Sequence, residues 1–275
     1  MKGNVPTGGL RVRENGGTRH RPGAFVDLHC HCLPGIDDGA PTLRAAVALC
    51  RMLREDNVGR VVATPHQLGR FEDRATGSTI REAVQALNEE LHHRGVDLQV
   101  LPGAEVRLDE RIERFLANDD ILTLADRRQH LLLELPRDVF INIEPLLRHL
   151  HYAGIEVIIA HPERNAPLLG RSGILQRWVA EGVGLQVTAA SLVGLWGPAV
   201  QLAAWNLVAE GSVGLIATDA HDAGINRPCM TAAFRAVAAR FGTELARLLC
   251  IVNPARVVSG ERLISMSSGV RQEVR

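Results

Sequence analysis

The segment Phe25-Val26-Asp27-Leu28-His29-Cys30-His31 decides the fold. It is a short apolar run of the kind that forms a buried strand, and six further runs of this type follow, separated by stretches with helical spacing. The seven predicted strands cover residues 25–31, 60–66, 98–105, 130–135, 155–161, 184–188 and 213–221. Strands that alternate with helices predict a parallel α/β sheet that is buried on both faces.

Helix signals fall between these runs. The predicted helices cover residues 42–55, 79–94, 143–152, 170–181 and 198–210. Thr42 is a plausible N-cap, and a glycine stands where four of the helices should end: Gly95, Gly154, Gly182 and Gly211. A chain of 275 residues suits a single α/β barrel or one doubly wound domain.

Composition limits the possible partners and the compartment. With 31 basic and 31 acidic residues, the chain has no general attraction to nucleic acid or to an anionic membrane. No apolar run approaches the roughly 20 residues of a membrane span. Residues 1–24 are rich in glycine and arginine and lack the apolar stretch of a signal peptide, so we expect a flexible tail and a cytoplasmic protein. The barrel is expected over residues 25–262 and a C-terminal tail over 263–275, and five cysteines suit a reducing compartment.

Six of the seven predicted strands end in side chains that can bind a metal ion. These are His29, His31, His66, Glu105, Glu134, His161, Asp219 and His221. In a parallel α/β barrel the carboxyl ends of all strands meet at one rim, where catalytic residues collect. In a closed barrel the last strand also neighbours the first. The sequence therefore predicts one cluster of histidines and carboxylates.

Strand geometry sorts the side chains around the first histidines. His29 and His31 are two residues apart and share one face, while Cys30 and Cys32 point the other way and are expected to be small core residues. The following Gly-Ile-Asp-Asp-Gly segment offers two more carboxylates, of which Asp38 completes a set of nine ligands. Nine are too many for one ion, so two or three ions are expected, with Glu105 placed to bridge. The alternatives are core histidines and arginine–glutamate ion pairs.

Two arginines indicate what the site binds. Arg164 lies three residues after His161, and Arg227 lies six after His221. A guanidinium offers two parallel donors to phosphate oxygens. Each arginine alone could equally be a surface residue, but two of them beside a metal cluster favour an anionic substrate such as a phosphate ester.

These motifs resemble the polymerase and histidinol phosphatase (PHP) superfamily of metallohydrolases. They are Asp-Leu-His-Cys-His, Gly-Ile-Asp-Asp-Gly, Ala-Thr-Pro-His, Gly-Ala-Glu, Leu-Glu-Leu, Ala-His-Pro-Glu-Arg, Ala-Thr-Asp-Ala-His and Asn-Arg-Pro, between residue 26 and about residue 258. The Asp-Asp-Gly and His-x-x-Arg elements are similar to the bacterial protein-tyrosine phosphatase branch of capsule and exopolysaccharide operons. The resemblance implies a distorted seven-stranded β/α barrel with three ions, usually manganese, at the carboxyl-terminal rim of the strands.

The resemblance also implies a role for each residue. The first ion would be held by His29, His31, Glu105 and Asp219, the second by Glu105, Glu134 and His161, and the third by Asp38, His66 and His221. Arg164 and Arg227 would grip the phosphate while metal-activated hydroxide attacks phosphorus, and His66, His221 or a metal-bound water would be the general acid. Gln67 and Leu68 stand where the family often has basic residues. The implied substrate is a phosphotyrosine protein, such as a tyrosine kinase of exopolysaccharide or capsule synthesis.

Three rival functions remain at this stage. A small-molecule phosphatase such as a histidinol-phosphatase would use the same metal ligands. A non-catalytic, metal-stabilised scaffold could bind phosphoproteins without hydrolysing them. A cysteine phosphatase would use the Cys-x5-Arg pattern from Cys229 to Arg235, but that segment has no glycine to let backbone amides surround a phosphate.

Overall fold

A computed structural model of the protein describes residues 24–224 and 226–265. Within these ranges the strands are β1 (Phe25–Cys30), β2 (Val58–Ala63), β3 (His66–Gln67), β4 (Gln99–Pro102), β5 (Glu105–Arg107), β6 (His130–Glu134), β7 (Glu156–Ala160), β8 (Gly184–Thr188) and β9 (Leu215–Ala217). The helices are α1 (Leu43–Glu55), α2 (Gly77–His93), α3 (Ile112–Ala117), α4 (Glu144–Tyr152), α5 (Ala166–Leu169), α6 (Ile174–Ala180), α7 (Ala189–Leu192), α8 (Pro198–Ala209), α9 (Met230–Phe241), α10 (Thr243–Arg247) and α11 (Asn253–Ser259).

All paired strands are parallel, which confirms the predicted α/β class. They form one sheet of order β1-β2-β4 and a second of order β3-β5-β6-β7-β8-β9. Two predicted strands are each divided, residues 60–66 into β2 and β3 and residues 98–105 into β4 and β5. Pro65 lies in the first break and has no N–H for the ladder. Gly103 lies in the second, where a Cβ atom would be only 2.5 Å from Val62.

Hydrogen bonds continue the strand ladders across residues 64 and 65, between β2 of one sheet and β3 of the other. The Thr64 N–H donates to the Cys30 carbonyl at 2.9 Å, and the Glu105 N–H donates to Pro65 at 3.2 Å. On the other side of β1, Cys30 pairs in parallel with Ala220, just after β9. The last strand run therefore lies beside the first, as expected, and all carboxyl ends face the same edge.

The core consists of two apolar clusters that take alternate residues of the strands. The smaller cluster contains Leu132 and Ile158, whereas their neighbours Leu133 and Ile159 belong to the larger one beneath the helices. The sheet is thus buried on both faces, which explains the nearly continuous apolar runs. Cys30 and Cys32 are fully buried in the larger cluster, as predicted.

The helix boundaries follow local signals. The Thr42 hydroxyl accepts the Ala45 N–H at 3.2 Å and caps α1, and the four predicted terminal glycines all have positive φ angles. The helix predicted over residues 170–181 is present but begins four residues later than expected. Gly173, at φ +72°, ends the short turn after α5, and α6 begins only at Ile174. Helix α2 starts two residues before the predicted position because Thr76 caps it.

The predicted start of the barrel lies beside the first described residue, whereas the description continues three residues beyond the predicted end at residue 262. Residues 1–23, the bulk of the predicted N-terminal tail, and residues 266–275 lie outside the described ranges. Leu263 packs against Gly184 and Gly214, and Asn253 exchanges hydrogen bonds with the backbone of Ile264. No helix in the described part of the chain is long and apolar enough to cross a membrane.

Candidate metal centre

The nine predicted ligands lie together at the carboxyl edge of the strands. Their donor atoms form three overlapping groups, each with all atoms within 4.8 Å of one another: His29, His31, Glu105 and Asp219; His66, Glu105 and Glu134; and His31, Asp38, His66 and His221. The ninth residue, His161, contacts Glu105 through its Nε2 atom at 2.7 Å. The sequence thus predicted which side chains the fold brings together.

The first group is a fully buried cage. His29 Nε2 lies 3.2 Å from His31 Nε2, 3.3 Å from Glu105 Oε2 and 3.2 Å from Asp219 Oδ1. His31 Nε2 lies 3.4 Å from each of the same two oxygens. The centre of a tetrahedron with such edges is about 2 Å from every corner, the length of a bond between nitrogen or oxygen and a divalent transition metal. The cage therefore fits a metal ion.

The outer nitrogens of both histidines are held by acceptors. His29 Nδ1 donates to Gln186 Oε1 at 2.8 Å, and His31 Nδ1 donates to Asp37 Oδ2 at 2.6 Å. A proton on Nδ1 leaves the lone pair of Nε2 directed into the cage, the tautomer that a metal requires. Two nitrogens that face each other at 3.2 Å repel unless a proton or a metal ion lies between them.

Asp37 has a different place from the one its motif indicated. The Gly-Ile-Asp-Asp-Gly segment offered two carboxylates for an ion, but Asp37 instead accepts from His31 and from the backbone N–H groups of Gly39 and His66, at 3.0 Å each. Burial alone would raise the pKa of Asp37. The charge and hydrogen bond of His31, with the two backbone donors, outweigh burial and lower it.

The second group differs from the predicted set. His66 Nδ1 lies 3.0 Å from Glu105 Oε2 and 3.8 Å from Glu134 Oε2, so His66 stands where His161 was expected beside both glutamates. His161 faces the other oxygen of Glu105, Oε1. Glu105 therefore has histidines at both carboxylate oxygens, the arrangement that a bridging ligand needs.

The third group is the side of the cluster open to solvent. Asp38 Oδ1 lies 3.6 Å from His66 Nε2 and 3.5 Å from His221 Nε2. The Asp38 side chain is 47% exposed, against 18% for His66 and 14% for His221. A hydrogen bond from His221 and the charges of the histidines lower the pKa of Asp38 to about 2 despite partial burial.

Electrostatics keep the inner carboxylates ionised. Burial opposes the charged forms of Glu105 and Asp219, yet the pKa of each is well below its usual range because His29 lies beside both. Burial, together with the positive charge of Arg164, lowers the pKa of His161 to about 4. His161 is therefore neutral and able to give a lone pair at neutral pH.

Two candidate ligands lie on an unusual backbone. His161 has a φ angle of 34° and Asp219 one of 53°, both in the left-handed region that non-glycine residues rarely adopt. His161 directly follows the end of β7, and Asp219 lies two residues after the end of β9. Such conformations cluster at functional sites because the surroundings force them.

The structure separates the two predicted arginines. Arg164 is 6% exposed, donates to Asp219 Oδ2 and to Thr188 Oγ1, and its guanidinium lies 4.9 Å above the ring of Trp196. Arg227 is exposed and makes no hydrogen bond or ion pair with the part of the chain that the structure describes. Arg164 thus belongs to the cluster, whereas the Arg227 guanidinium is not placed against it.

A groove of about 310 Å³ opens over Asp38, His66 and Glu134. Its walls come from the segment after β3 and from the loop between β6 and α4. Sequence reasoning singled out Leu68 in the first of these segments, but it missed Arg70, Arg107 and Arg137, as it missed Gln186 and Trp196, because none of these residues was assigned a role in a motif.

The parallel strands of this protein end in a cluster of histidines and carboxylates, an arrangement typical of α/β metalloproteins. Residues 25–259 match the family described as Capsular polysaccharide synthesis, CpsB/CapC. The chain belongs to this family, and the resemblance inferred from its motifs is confirmed.

Named relatives share most of their length with this chain. Tyrosine-protein phosphatase YwqE of Bacillus subtilis is 32% identical over 82% of this chain and 88% of its own. The putative tyrosine-protein phosphatase CapC of Staphylococcus aureus is 31% identical over 75% and 80%. A chain from the crystal structures of YwqE from Bacillus subtilis and CpsB from Streptococcus pneumoniae, unique metal-dependent tyrosine phosphatases, matches with a TM-score of 0.84, 29% identity, and coverage of 87% of this chain and 96% of that one.

Proposed function

We propose that the protein is a metal-dependent phosphatase that hydrolyses phosphotyrosine in proteins. The observation that carries this proposal is the buried cage of His29, His31, Glu105 and Asp219, whose donors surround a metal-sized space, with Arg164 against its edge. The names of YwqE and CapC as tyrosine-protein phosphatases support the same activity.

The proposed centre holds two or three ions, with Mn²⁺ as the native metal. The first ion is assigned to His29, His31, Glu105 and Asp219, the second to Glu105, Glu134 and His161, with His66 close by, and the third to Asp38, His66 and His221. We also propose that the two sheets form one distorted seven-stranded barrel. The pairing of Cys30 with Ala220 supports closure between the first and last strands.

The chain's own groups then orient the phosphoryl group. Bound divalent ions supply positive charge that lowers the pKa of water and stabilises phosphate oxygens. Arg164 offers a buried guanidinium that is already fixed by Asp219 and Trp196, so little ordering is needed when an oxyanion arrives. We assign Arg227 to the same anion, which requires its exposed side chain to turn inward.

The leaving group makes modest demands on the protein. Tyrosine departs as a phenoxide of pKa about 10, so a weak proton donor suffices. His66, His221 and a metal-bound water are the candidates, and the two histidines are partly exposed at the open side near Asp38. His221 Nδ1 donates to the carbonyl of Asp219 at 2.9 Å, which leaves the Nε2 lone pair for an ion, so His221 would donate a proton only while it is protonated and not bound to the third ion.

The structure argues against the cysteine mechanism. Burial, together with the charges of Asp56 and Asp27, raises the pKa of the Cys229 thiol to about 12. A thiol protonated at neutral pH is a poor nucleophile. The relatives' names favour a protein phosphatase over a histidinol-phosphatase or a scaffold.

We further propose that the substrate is a bacterial tyrosine kinase of exopolysaccharide or capsule synthesis and that the protein acts in the cytoplasm. The family description, capsular polysaccharide synthesis, supports this substrate. The equal numbers of acidic and basic residues are consistent with a protein that binds neither nucleic acid nor membrane.

The test is a reconstitution assay on three substrates. Metal-stripped protein is loaded with Mn²⁺, Zn²⁺ or Mg²⁺ and offered a phosphotyrosine peptide, a phosphoserine peptide and histidinol phosphate. We expect hydrolysis only with metal, best with Mn²⁺ and with phosphotyrosine, and unchanged in Cys229→Ser. Full activity in verified metal-free protein, or a preference for histidinol phosphate, would overturn the proposal.

A further inference from the structure

We propose that Arg70, Arg107 and Arg137 form an arginine groove beside the metal centre that binds carboxylate side chains flanking the phosphotyrosine of an acidic peptide. This inference rests on the proposed phosphatase activity and names the class of peptide that the site prefers. The three arginines line the same groove as Asp38, His66 and Glu134.

Two of the arginines lie on either side of a candidate ligand. Arg107 ends β5 and Arg137 lies three residues after Glu134, at the end of β6. Arg107 is paired with Glu134 in the register of β5 with β6, and Arg137 lines the same groove as Glu134. Their guanidinium groups are therefore close enough to act on an anion that approaches the centre.

The third arginine is joined to the centre by stacking. The guanidinium of Arg70 lies 4.9 Å above the ring of Phe71. That ring stacks on His66 with 5.9 Å between centroids and 6° between planes. Arg70 thus occupies the outer end of a stack whose inner end is a candidate metal ligand, and it marks the far wall of the groove.

An unusual backbone turn builds this wall. Leu68 is buried with a φ angle of 69°, and Gly69 follows at 66°. A Cβ atom on Gly69 would lie 3.1 Å from Cδ of Arg107, so glycine lets the Arg107 side chain pass closely over the turn. A strained, closely packed turn beside the centre is more typical of a binding wall than of an unconstrained surface loop.

The three arginine charges are not held in ion pairs with the described residues. All three side chains are exposed, and within residues 24–224 and 226–265 none forms an ion pair. Nearby arginines behave differently: Arg81 contacts Asp126 at 2.7 Å, and Arg111 contacts Glu72 at 2.8 Å. The groove also contains the carboxylates of Asp38, Glu134 and Asp138. Because Asp38 and Glu134 are candidate metal ligands, bound metal would neutralise them, and the three arginines would then outnumber the remaining carboxylate and attract an anionic chain.

A peptide is the ligand that fits this placement best. The scissile phosphate belongs at the metal centre and Arg164. Arginines farther along the groove would therefore contact the residues that flank the phosphotyrosine. Val139 and Ile141, 51% and 43% exposed, lie on the same β6–α4 loop as Arg137 and offer apolar contact to a chain. A small phosphomonoester would reach none of these groups.

The test compares two phosphotyrosine peptides that differ only in charge. One has Asp and Glu on both sides of the phosphotyrosine, and the other has Asn and Gln. For Mn²⁺-loaded protein at low ionic strength we expect kcat/KM to favour the acidic peptide about tenfold, mainly through KM, and the preference to shrink at 0.5 M salt. In the triple variant Arg70→Gln, Arg107→Gln, Arg137→Gln the ratio should fall to within about twofold.

Controls separate this inference from the proposed function. Arg148→Gln removes an exposed arginine at the opposite edge and should keep the wild-type ratio. Equal kcat/KM for both peptides in wild-type protein, or an undiminished ratio in the triple variant, would overturn the arginine groove. Failure of the proposed function is distinct, because the wild-type protein would then hydrolyse neither phosphotyrosine peptide or would prefer histidinol phosphate to both.

Discussion

The two edges of the parallel sheet differ in how their charged side chains are arranged. The edge at the amino ends of the strands has the larger cavity, about 440 Å³ against about 310 Å³ for the groove at the carboxyl edge. Two ion pairs between partly exposed side chains lie there: Arg262 contacts Glu156 at 2.8 Å and Arg177 contacts Glu144 at 3.4 Å. At the carboxyl edge, buried histidines and carboxylates converge on a few points instead.

The difference teaches that convergence of donor atoms, and not cavity size, locates the chemistry. Glu105 is 1% exposed and Asp219 4% exposed, and burying such carboxylates costs free energy unless cations compensate. Exposed ion pairs like Arg262–Glu156 contribute little. We therefore expect substitutions at the carboxyl edge to abolish function and matched ones at the opposite edge to leave it intact.

The largest effect is expected for Glu105→Gln, matched with Glu156→Gln at the opposite edge. Loss of the central carboxylate should remove bound metal and lower kcat/KM at least about a thousandfold, because Glu105 serves more than one ion in the proposed assignment. Glu156→Gln should keep wild-type kinetics. Metal analysis and turnover of an aryl phosphate test this contrast, and near-normal metal content and turnover in Glu105→Gln would break it.

The next effect concerns the two arginines of the carboxyl edge. Arg164→Ala should lose about 10²–10³-fold in turnover, the scale for removing one preorganised transition-state donor. Arg227→Ala should show a similar loss if its exposed side chain turns inward with substrate. Circular dichroism and metal content check that the fold and the centre persist. An unchanged rate in Arg227→Ala, with a large loss in Arg164→Ala, would leave Arg164 as the sole phosphate arginine.

The free energy of unfolding should depend on pH through His130, which lies at the amino edge and away from the candidate metal ligands. Burial lowers the pKa of His130, and Glu156, at 3.3 Å from Nε2, only partly offsets this. Below the unfolded pKa of about 6.5, the unfolded chain binds a proton that native His130 does not. Stability is therefore lost as the pH falls from that value, with a slope of at most about 1.4 kcal/mol per pH unit.

Urea unfolding of His130→Gln and of the wild-type protein at pH 7 and pH 5.5 tests this. The variant should show the shallower loss of unfolding free energy on acidification, whatever its absolute stability. Parallel slopes would mean that native His130 takes up its proton as readily as the unfolded chain.

The smallest effect is expected for Arg262→Ala. Its side chain is 81% exposed, so breaking the contact with Glu156 should cost less than about 1 kcal/mol and leave turnover unchanged. Thermal unfolding and aryl phosphate kinetics measure both. A large loss of activity would show that the two edges are coupled.

Local signals made most of the fold predictable. Apolar periodicity placed all seven strand runs, and Thr42 with the four terminal glycines placed five helix ends, because these features depend on neighbours in sequence. The breaks at Pro65 and Gly103 were harder to foresee. They arise where strands approach one another, which the sequence of one strand does not reveal.

The candidate site was predictable to the extent that strand ends share one edge. The supporting residues were not, because they come from distant positions: Gln186 lies 157 residues from His29, whose tautomer it fixes. Trp196 and the arginine groove likewise depend on how loops fold over the edge. Asp37 and Asp38 both lie in the Gly-Ile-Asp-Asp-Gly motif, but only Asp38 faces the centre, whereas Asp37 holds the ring of His31. The sequence does not reveal which of two adjacent carboxylates the loop turns toward the centre.

The carboxylate of Asp219 has a thermodynamic consequence, since its two oxygens serve different partners. Oδ1 faces the histidine nitrogens, whereas Oδ2 holds Arg164. Under the proposed assignment, the metal ion binds Oδ1 and the phosphate binds the guanidinium that Oδ2 holds. Both ligands therefore depend on the single negative charge of the Asp219 carboxylate. Linkage requires that each changes the affinity of the other by the same factor. Product inhibition by orthophosphate should accordingly vary with the concentration of free Mn²⁺, so that the cell's metal supply would set how long the enzyme stays occupied after each turnover.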